Sequence, residues 1–211
     1  MGGYVDPDGN SMTYTAKTGA EVFNDLWGNI AAGEYSHAEG DSTHAIGNAS
    51  HAEGNYTRAN GNYSHAEGSG SIASGVGAHA EGGSRASGAY SHAENSSSVS
   101  ANYSHSEGYG TKANTLYQHV QGTYNIPDES DKAYLRGTYA HIVGNGEDSS
   151  SLSNAHTLDW NGNAWFAGDI YVGSNSGTNK DEGSKKVATI FEEWTITFED
   201  GSTETKKVYV G

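Results

Sequence analysis

The sequence predicts an all-β chain built as a parallel β-roll of about 14-residue coils. Three observations predict it. Histidines fall at 37, 51, 65, 79, 92, 105 and 119, with spacings of 14, 14, 14, 13, 13 and 14. A small residue recurs at Ala31, Ala45, Ala59, Ala73, Ala86, Val99 and Ala113, each six residues before a column histidine. The segments between are too short, and too rich in glycine, to be helices. Each unit therefore reads as two short strands joined by Gly-rich turns, stacked on the next at about 4.8 Å. Seven such coils make a rod roughly 30 Å long.

The two 13-residue coils locate their own deletion. From each histidine to the next small residue the count is eight in full coils and seven in these two, which places the missing residue in the turn just after the HAEG strand. Two further matches extend the histidine column, "YAHIVG" at 139 to 144 and "NAHTLD" at 154 to 159. With His141 and His156, nine of the ten histidines occupy one column, and His44 lies in the other half-repeat.

Composition narrows the class. The chain has 211 residues, 30 of them Gly, is only 34% apolar, and carries a formal charge of -15. So little apolar surface would ordinarily leave a chain disordered, but 14 Tyr, 4 Trp and a strict period argue for order. The acidic balance without a cluster of Lys and Arg argues against nucleic acid as a partner. Cysteine is absent, which removes disulfides and thiolate metal sites. No apolar run approaches the roughly 20 residues of a membrane helix, so membrane insertion is not expected. The start, "MGGYVDPDGN", has no signal-peptide pattern, so a location outside the cell would need another route.

Side chains alternate across a strand, so in SHAEG the Ser, Ala and Gly share one face and His and Glu the other. A coil this small has room inside only for small side chains. Ala38, Ala52, Ala66, Ala80 and Ala93 are the expected lining. Burying an alanine methyl contributes about 1 kcal/mol or less, against roughly 1 to 2 kcal/mol of backbone entropy per ordered residue. The deficit points to oligomerisation.

The expected contact face is the uniform column His37, Glu39, His51, Glu53, His65, Glu67, His79, Glu81, His92, Glu94, His105, Glu107, His119, His141 and His156. The outward face of the other strand is mixed, reading His44, Arg58, Ile72, Arg85, Ser98, Lys112. A tyrosine recurs two residues before the histidine, at Tyr35, Tyr63, Tyr90, Tyr103, Tyr117 and Tyr139, on the same face if the strand extends that far.

The alternation of "SxAxG" with "SHAEG" resembles the head repeat of trimeric autotransporter adhesins, and the same repeat in tail fibres of phages of Gram-positive bacteria. The resemblance covers about 29 to 122 and implies a left-handed parallel β-roll that assembles as a homotrimer. This chain departs from the adhesin pattern in carrying His and Glu where adhesin heads more often carry aliphatic residues, and the adhesin's membrane anchor is not expected in it.

Beyond His119 the column spacing is 22, so about eight residues are inserted, and "IPDESDKA" at 126 to 133 is the expected insert. Ile142 and Val143 then replace Ala and Glu, which implies a widened, more apolar interior. "WNGNAWF" reads as a hairpin on its Asn-Gly, and "DIYVG" as a buried strand. The stretch "SNAHTLDWNGNAWFAGDIYVG" resembles the C-terminal segment of phage tail proteins classed as a self-cleaving chaperone peptidase domain. In that family a C-terminal chaperone assists trimer assembly and is then cut off.

Residues 174 to 186 read as a flexible linker. "EEWTITFEDGSTETKKVYVG" reads as a hairpin turning at Asp200-Gly201. "GAEVFND" at 19 to 25 is expected to form one or two helical turns that cap the open end of the roll. The expected organisation is therefore an N-terminal cap over 1–28, the roll over 29–122, a widened β region over 123–173, the linker over 174–186 and the hairpin over 187–211.

Histidine beside glutamate is also ligand chemistry for a metal. Two ligands per coil are too few for a closed site, although three chains around an axis supply three histidines for an axial metal or anion. The interface ladder is the favoured reading, since stacked glutamates repel and interleaved histidines hydrogen-bond or pair with them. No cofactor is expected, nor catalytic turnover. His156, Asp159 and Asn161 are candidates for a one-time backbone self-cleavage.

Two functional readings remain. One is a trimeric structural component of a phage or prophage tail, in the virion tail or otherwise extracellular, touching a bacterial surface glycan or protein. The other is a bacterial surface adhesin binding host matrix.

Overall fold

In the computed structural model, the described residues are 3–5, 11–13, 18–23, 28–128, 134–168, 171–172, 185–186, 191–198 and 200–209. Every regular element among them is a β-strand. The chain divides into two units, Met1–Trp165 and Phe166–Gly211.

The first unit is a parallel β-solenoid whose period is that of the histidines. Two stacks of strands run along it. One, the histidine sheet, pairs His37 with His51, Ala38 with Ala52 and Glu39 with Glu53, and keeps that register from coil to coil. The other has seven strands, from Ile30–Ala31 to Lys112–Ala113, and aligns Ala45 with Ala59 and Ala73 with Ala86. His79 opposes His92 and His92 opposes His105, so the 13-residue coils stay in register. Their corners explain how. Gly82 and Gly83, then Asn95 and Ser96, are successive left-handed residues with φ of 61°, 81°, 58° and 66°. They turn the chain in one residue fewer, in the turn after HAEG.

The interior holds methyl and hydroxymethyl groups. Ala38, Ala52, Ala66, Ala80 and Ala93 are fully buried, as are Ala45, Ala59, Ala73 and Ala86 from the second sheet. Beside them the serine of the repeat closes each corner: Ser50 Oγ donates to the Gly47 carbonyl at 2.7 Å and Ser64 Oγ to that of Gly61 at 2.6 Å. Asparagines at successive corners stitch coils together, Asn62 Oδ1 accepting from the Asn48 amide at 2.9 Å.

Tyrosine behaves differently from the strand-face expectation. Tyr35, Tyr63, Tyr90, Tyr103 and Tyr117 are corner residues in the left-handed region, with φ between 54° and 63°. The corner must turn while its amide bonds the previous coil, as Tyr63 N donates to the Asn48 carbonyl at 2.8 Å. The side chains consequently project into solvent at the edge of the roll, 70% exposed at Tyr63 and 48% at Tyr117. Tyr139 alone of that series lies within a strand, Tyr139–Asn145.

Both ends of the roll depart from the repeat. Glu21–Phe23, where helical turns were expected, is a strand joined in parallel to His37–Asp41, with Val22 opposite Ala38. It extends the histidine sheet by pairing with the edge that a helix would only have covered. Residues 24 and 25 of that expectation lie outside the described residues. At the other end His119 opposes His141 across the insert. The chain then reverses, and Asn154–Asp159 pairs antiparallel with Tyr139–Asn145, setting His156 opposite Val143. The parallel histidine column thus has eight members, and His156 reaches it from a strand of opposite direction. The interior here carries Ile142, one of the two larger groups expected beyond the insert, and already Val120 before it; Val143, the other, is only half-buried.

Asp128, at the start of the insert, is buried, and its Oδ2 accepts from the Tyr139 amide at 2.7 Å. Residues 129–133 of the insert lie outside the described residues. Asp159 and Ala164 flank the expected hairpin, where Asp159 N donates to the Asn163 carbonyl at 2.9 Å and Gly162 has φ of 87°.

In the second unit Tyr171–Val172 pairs with Lys185–Lys186, so the end of the expected linker is in a β-ladder. Residues 174–184 lie outside the described residues, as do 169, 170 and 173 of the "DIYVG" stretch. Phe191–Thr197 pairs antiparallel with Thr203–Tyr209. Asp200 Oδ1 accepts from Ser202 N at 2.9 Å and Gly201 has φ of 80°, which is the Asp-Gly turn of the sequence.

The coil spacing leaves no room at Gly61, where a methyl would overlap the backbone carbonyl of Gly75 in the next coil. Gly61→Ala is expected to lower stability by about 1–3 kcal/mol, whereas Ser98→Ala on the outer face should change it by about 0.5 kcal/mol or less. Urea unfolding followed by circular dichroism measures both.

Candidate functional site: the histidine and glutamate column

Because Ala38 and its equivalents point inward, the residues on either side of each alanine point outward and repeat every coil. Imidazoles of successive coils stack: His51 on His65 and His65 on His79 at 4.8 Å, and His79 on His92 at 4.6 Å, with planes within 8° of parallel. The stack continues through His105 to His119 at 5.0 Å and tilts by 30° at His141. His37 at one end and His156 at the other meet the stack edge-on.

Glutamates interleave diagonally. Each carboxylate approaches Nε2 of the histidine one coil on: Glu53 to His65 at 3.4 Å, Glu67 to His79 at 3.3 Å, Glu94 to His105 at 3.3 Å. Glu39 to His51, Glu81 to His92 and Glu107 to His119 are looser, at 3.9, 3.7 and 3.7 Å. The His79 contact is aligned as a hydrogen bond. Nε2 of His51, His65, His92, His105, His119 and His141 is buried without an aligned partner. We take these contacts as electrostatic, because the stacking that keeps the rings parallel fixes where their N–H bonds point.

Burial pushes the imidazoles of His51, His92, His119 and His141 below the usual histidine range, and neighbouring histidines add to the effect. Burial thus prevails over the neighbouring carboxylates at His51, His92 and His119. Glu81 moves the other way. Hydrogen bonds to Glu94 and Glu67, then burial, raise its carboxyl to about 7. A proton on Glu81 lowers the pKa of Glu67; it does the same for Glu94 against the opposing effect of burial. The column therefore carries more negative charge than its histidines offset.

For a metal, the donors of His37, Glu39 and His51, of two further sets of two histidines and a glutamate, and of two sets of one histidine and two glutamates, come within 4.8 Å of one another. A tetrahedral ion with bonds of about 2.0 to 2.1 Å needs donors about 3.4 Å apart and converging. Stacked parallel rings point their nitrogens in parallel, so within one chain the rings must rotate before two of them share an ion.

The self-cleavage candidates are placed by the hairpin. Asp159 Oδ1 accepts from the amides of Asn161 and Asn163, each at 2.8 Å, and Oδ2 from Asn163 Nδ2 at 2.9 Å, so its carboxylate holds the turn. Its pKa is lowered by those bonds, the Asn163 side chain first. His156 meets His141 at 5.6 Å.

A second surface was not anticipated from the sequence. Tyr90, Tyr103 and Tyr117 form an exposed stack at 5.3 and 5.4 Å, and the Arg136 guanidinium lies over both Tyr117, at 5.5 Å, and Trp160, at 4.6 Å. The recurrence of tyrosine was visible, but the return of the chain after the insert, which brings Arg136 and Trp160 to it, had no local signal. No family model matches this chain, and no curated protein matches it.

The shifts oppose one another with pH. Histidines whose folded pKa is depressed contribute stability that is present above their unfolded value of 6.5 and is lost as pH falls below it. Glu81, raised from 4.5 to about 7, contributes stability that is present below 4.5 and is lost as pH rises through 7. Glu81→Gln keeps a donor for Glu67 and Glu94 without the charge. Its melting temperature should exceed that of the unsubstituted chain by a few degrees at pH 8, and the gain should vanish at pH 4.

Proposed function

We propose that this chain is a structural, trimeric fibre component of a phage or prophage tail that attaches to a bacterial surface, with the histidine and glutamate column as the face on which copies meet. The observation that carries the reading is the interior. Alanine, serine and threonine fill it coil after coil, so the roll offers its outer columns, repeated along a rod, rather than an enclosed site. Such a thin interior stabilises the fold weakly per coil, which favours burial of a whole column between chains.

Attachment is assigned to the strip of Tyr90, Tyr103, Tyr117, Arg136 and Trp160. Exposed aromatic faces and a planar cation suit a surface sugar, stacking on its C–H face and bonding its hydroxyls. The "SHAEG" resemblance supports the same reading, as does the resemblance of the segment around 153 to 173 to the C-terminal region of phage tail proteins.

Light scattering is expected to give three times the 22.1 kDa chain mass, and a stable monomer would overturn the trimer. Retention on Gram-positive cells is expected to fall about tenfold in Tyr103→Ala/Tyr117→Ala, at roughly 0.5–1.5 kcal/mol per ring. Retention on immobilised host matrix instead of cells would favour the adhesin reading.

A further inference from the structure

The two shortened coils change which donors lie beside one another in the column. Between His37 and His79, where the coils have 14 residues, each donor set is two imidazoles and one carboxylate: His37, Glu39 and His51, then His51, Glu53 and His65, then His65, Glu67 and His79. Over the two 13-residue coils, which end at His92 and His105, the sets become one imidazole and two carboxylates: Glu81, His92 and Glu94, then Glu94, His105 and Glu107. The difference decides which sets can hold an ion. Two imidazoles of a parallel stack converge on one ion only by breaking the stack. A set with a single imidazole leaves His105 stacked on His92, at 4.8 Å and 2° from parallel, and asks only the glutamates to move.

The second of these sets is the tighter. Glu94 is the least exposed of the six glutamates paired with the column histidines, at 22% of its side chain. Its Oε1 lies 3.3 Å from His105 Nε2, against 3.7 Å for Glu81 and His92. That nitrogen is buried and makes no aligned hydrogen bond. A separation of 3.3 Å is close to the edge of about 3.4 Å between two ligands of a tetrahedral zinc ion. The third donor, on Glu107, is within 4.8 Å of the other two and closes by rotation about its side-chain bonds. Charge favours the same occupant: a divalent cation with two carboxylates is neutral, which removes the repulsion between glutamates stacked at about 4.8 Å. The imidazole selects among cations, because magnesium and calcium take oxygen ligands while zinc accepts nitrogen and oxygen together.

We propose that Glu94, His105 and Glu107 bind a divalent transition metal of the zinc class, through His105 Nε2 and one oxygen of each carboxylate, with water in the remaining position. All three donors belong to one chain, so the site does not depend on whether or how copies meet.

The test is calorimetric titration of Zn2+ into the full chain at about 0.15 M ionic strength, where diffuse attraction to an acidic surface is screened, with Mg2+ in excess. A single tight ion per chain is expected. Glu94→Gln should weaken it about tenfold or more, since even the outer partners of metal ligands act on that scale. Glu39→Gln removes the same charge from the same column but lies outside the set, and it should leave the tight ion unchanged. Circular dichroism monitors the fold, and if Glu94→Gln unfolds, Glu107→Gln removes a donor in its place and should weaken the ion likewise. Absence of tight binding in the presence of Mg2+ would overturn the site. So would tight binding that survives loss of the set's carboxylates, or that Glu39→Gln weakens as much as they do.

Discussion

The cross-section of the coil is the constraint on which the rest depends. Two short strands face each other so closely that their inward side chains are alanine, serine or threonine, with Val99 as a larger exception, and glycine sits where successive corners touch. A conventional core gains free energy from large apolar side chains; this one gains it from repetition, through backbone ladders and corner bonds such as Ser50 to Gly47. Whatever distinguishes this chain chemically has to be on the outside. Because each coil is in register with the next, any outward residue type becomes a column, and any charge becomes a line of charge.

That consequence is costly for glutamate. Side chains of one sign at about 4.8 Å intervals repel, and the column contains two devices against it. Histidine Nε2 of the next coil accompanies each carboxylate, and a proton held by Glu81 and bonded to Glu67 and Glu94 removes one charge locally. The first device is limited by burial, which depresses the histidines that would have to be cationic to offset the charge fully. The residual negative charge makes the apposition of two such faces unfavourable. Specificity of association follows more from such repulsion between wrong faces than from the energy of any single ion pair.

The sequence legibility of this fold follows the same logic. Period, register, the inward alanines and the position of the 13-residue deletion were readable, because strict repetition ties each coil to the next and a shift of one residue would expose every alanine. Tyr63 and its equivalents were not, since a tyrosine two residues before a histidine fits an extended strand equally well. Only the turn geometry shows that it occupies the left-handed corner also taken by Ala49 and Gly77. His156 carried the right local sequence, "NAHTLD", but strand direction is a property of the connection and not of the strand. The joining of Arg136 to Tyr117 and Trp160 depends on the path of the insert, for which residues 126 to 133 hold no pairing pattern.

The reversal at Asn154–Asp159 also bears on why the roll ends. A parallel stack presents the same edge after every coil and has no inherent stop, leaving an edge open to further pairing. Here the interior first enlarges: Gln118 takes the place of the repeat's serine, and its Nε2 donates to the Tyr139 carbonyl at 3.1 Å, while Asp128 takes the Tyr139 amide. Leu116 N then bonds the Leu135 carbonyl at 2.9 Å, so the returning insert covers the coil where the second sheet stops. Ile142 is larger than any inward group of the regular coils, where the single Val99 is still followed by Ala113, so a further coil of SHAEG type would not match the interior beneath it. The antiparallel strand completes the stop, because it sets His156 against Val143 and breaks the phase that a next histidine would need. The roll thus ends where Gln118, Ile142 and the reversed strand come together.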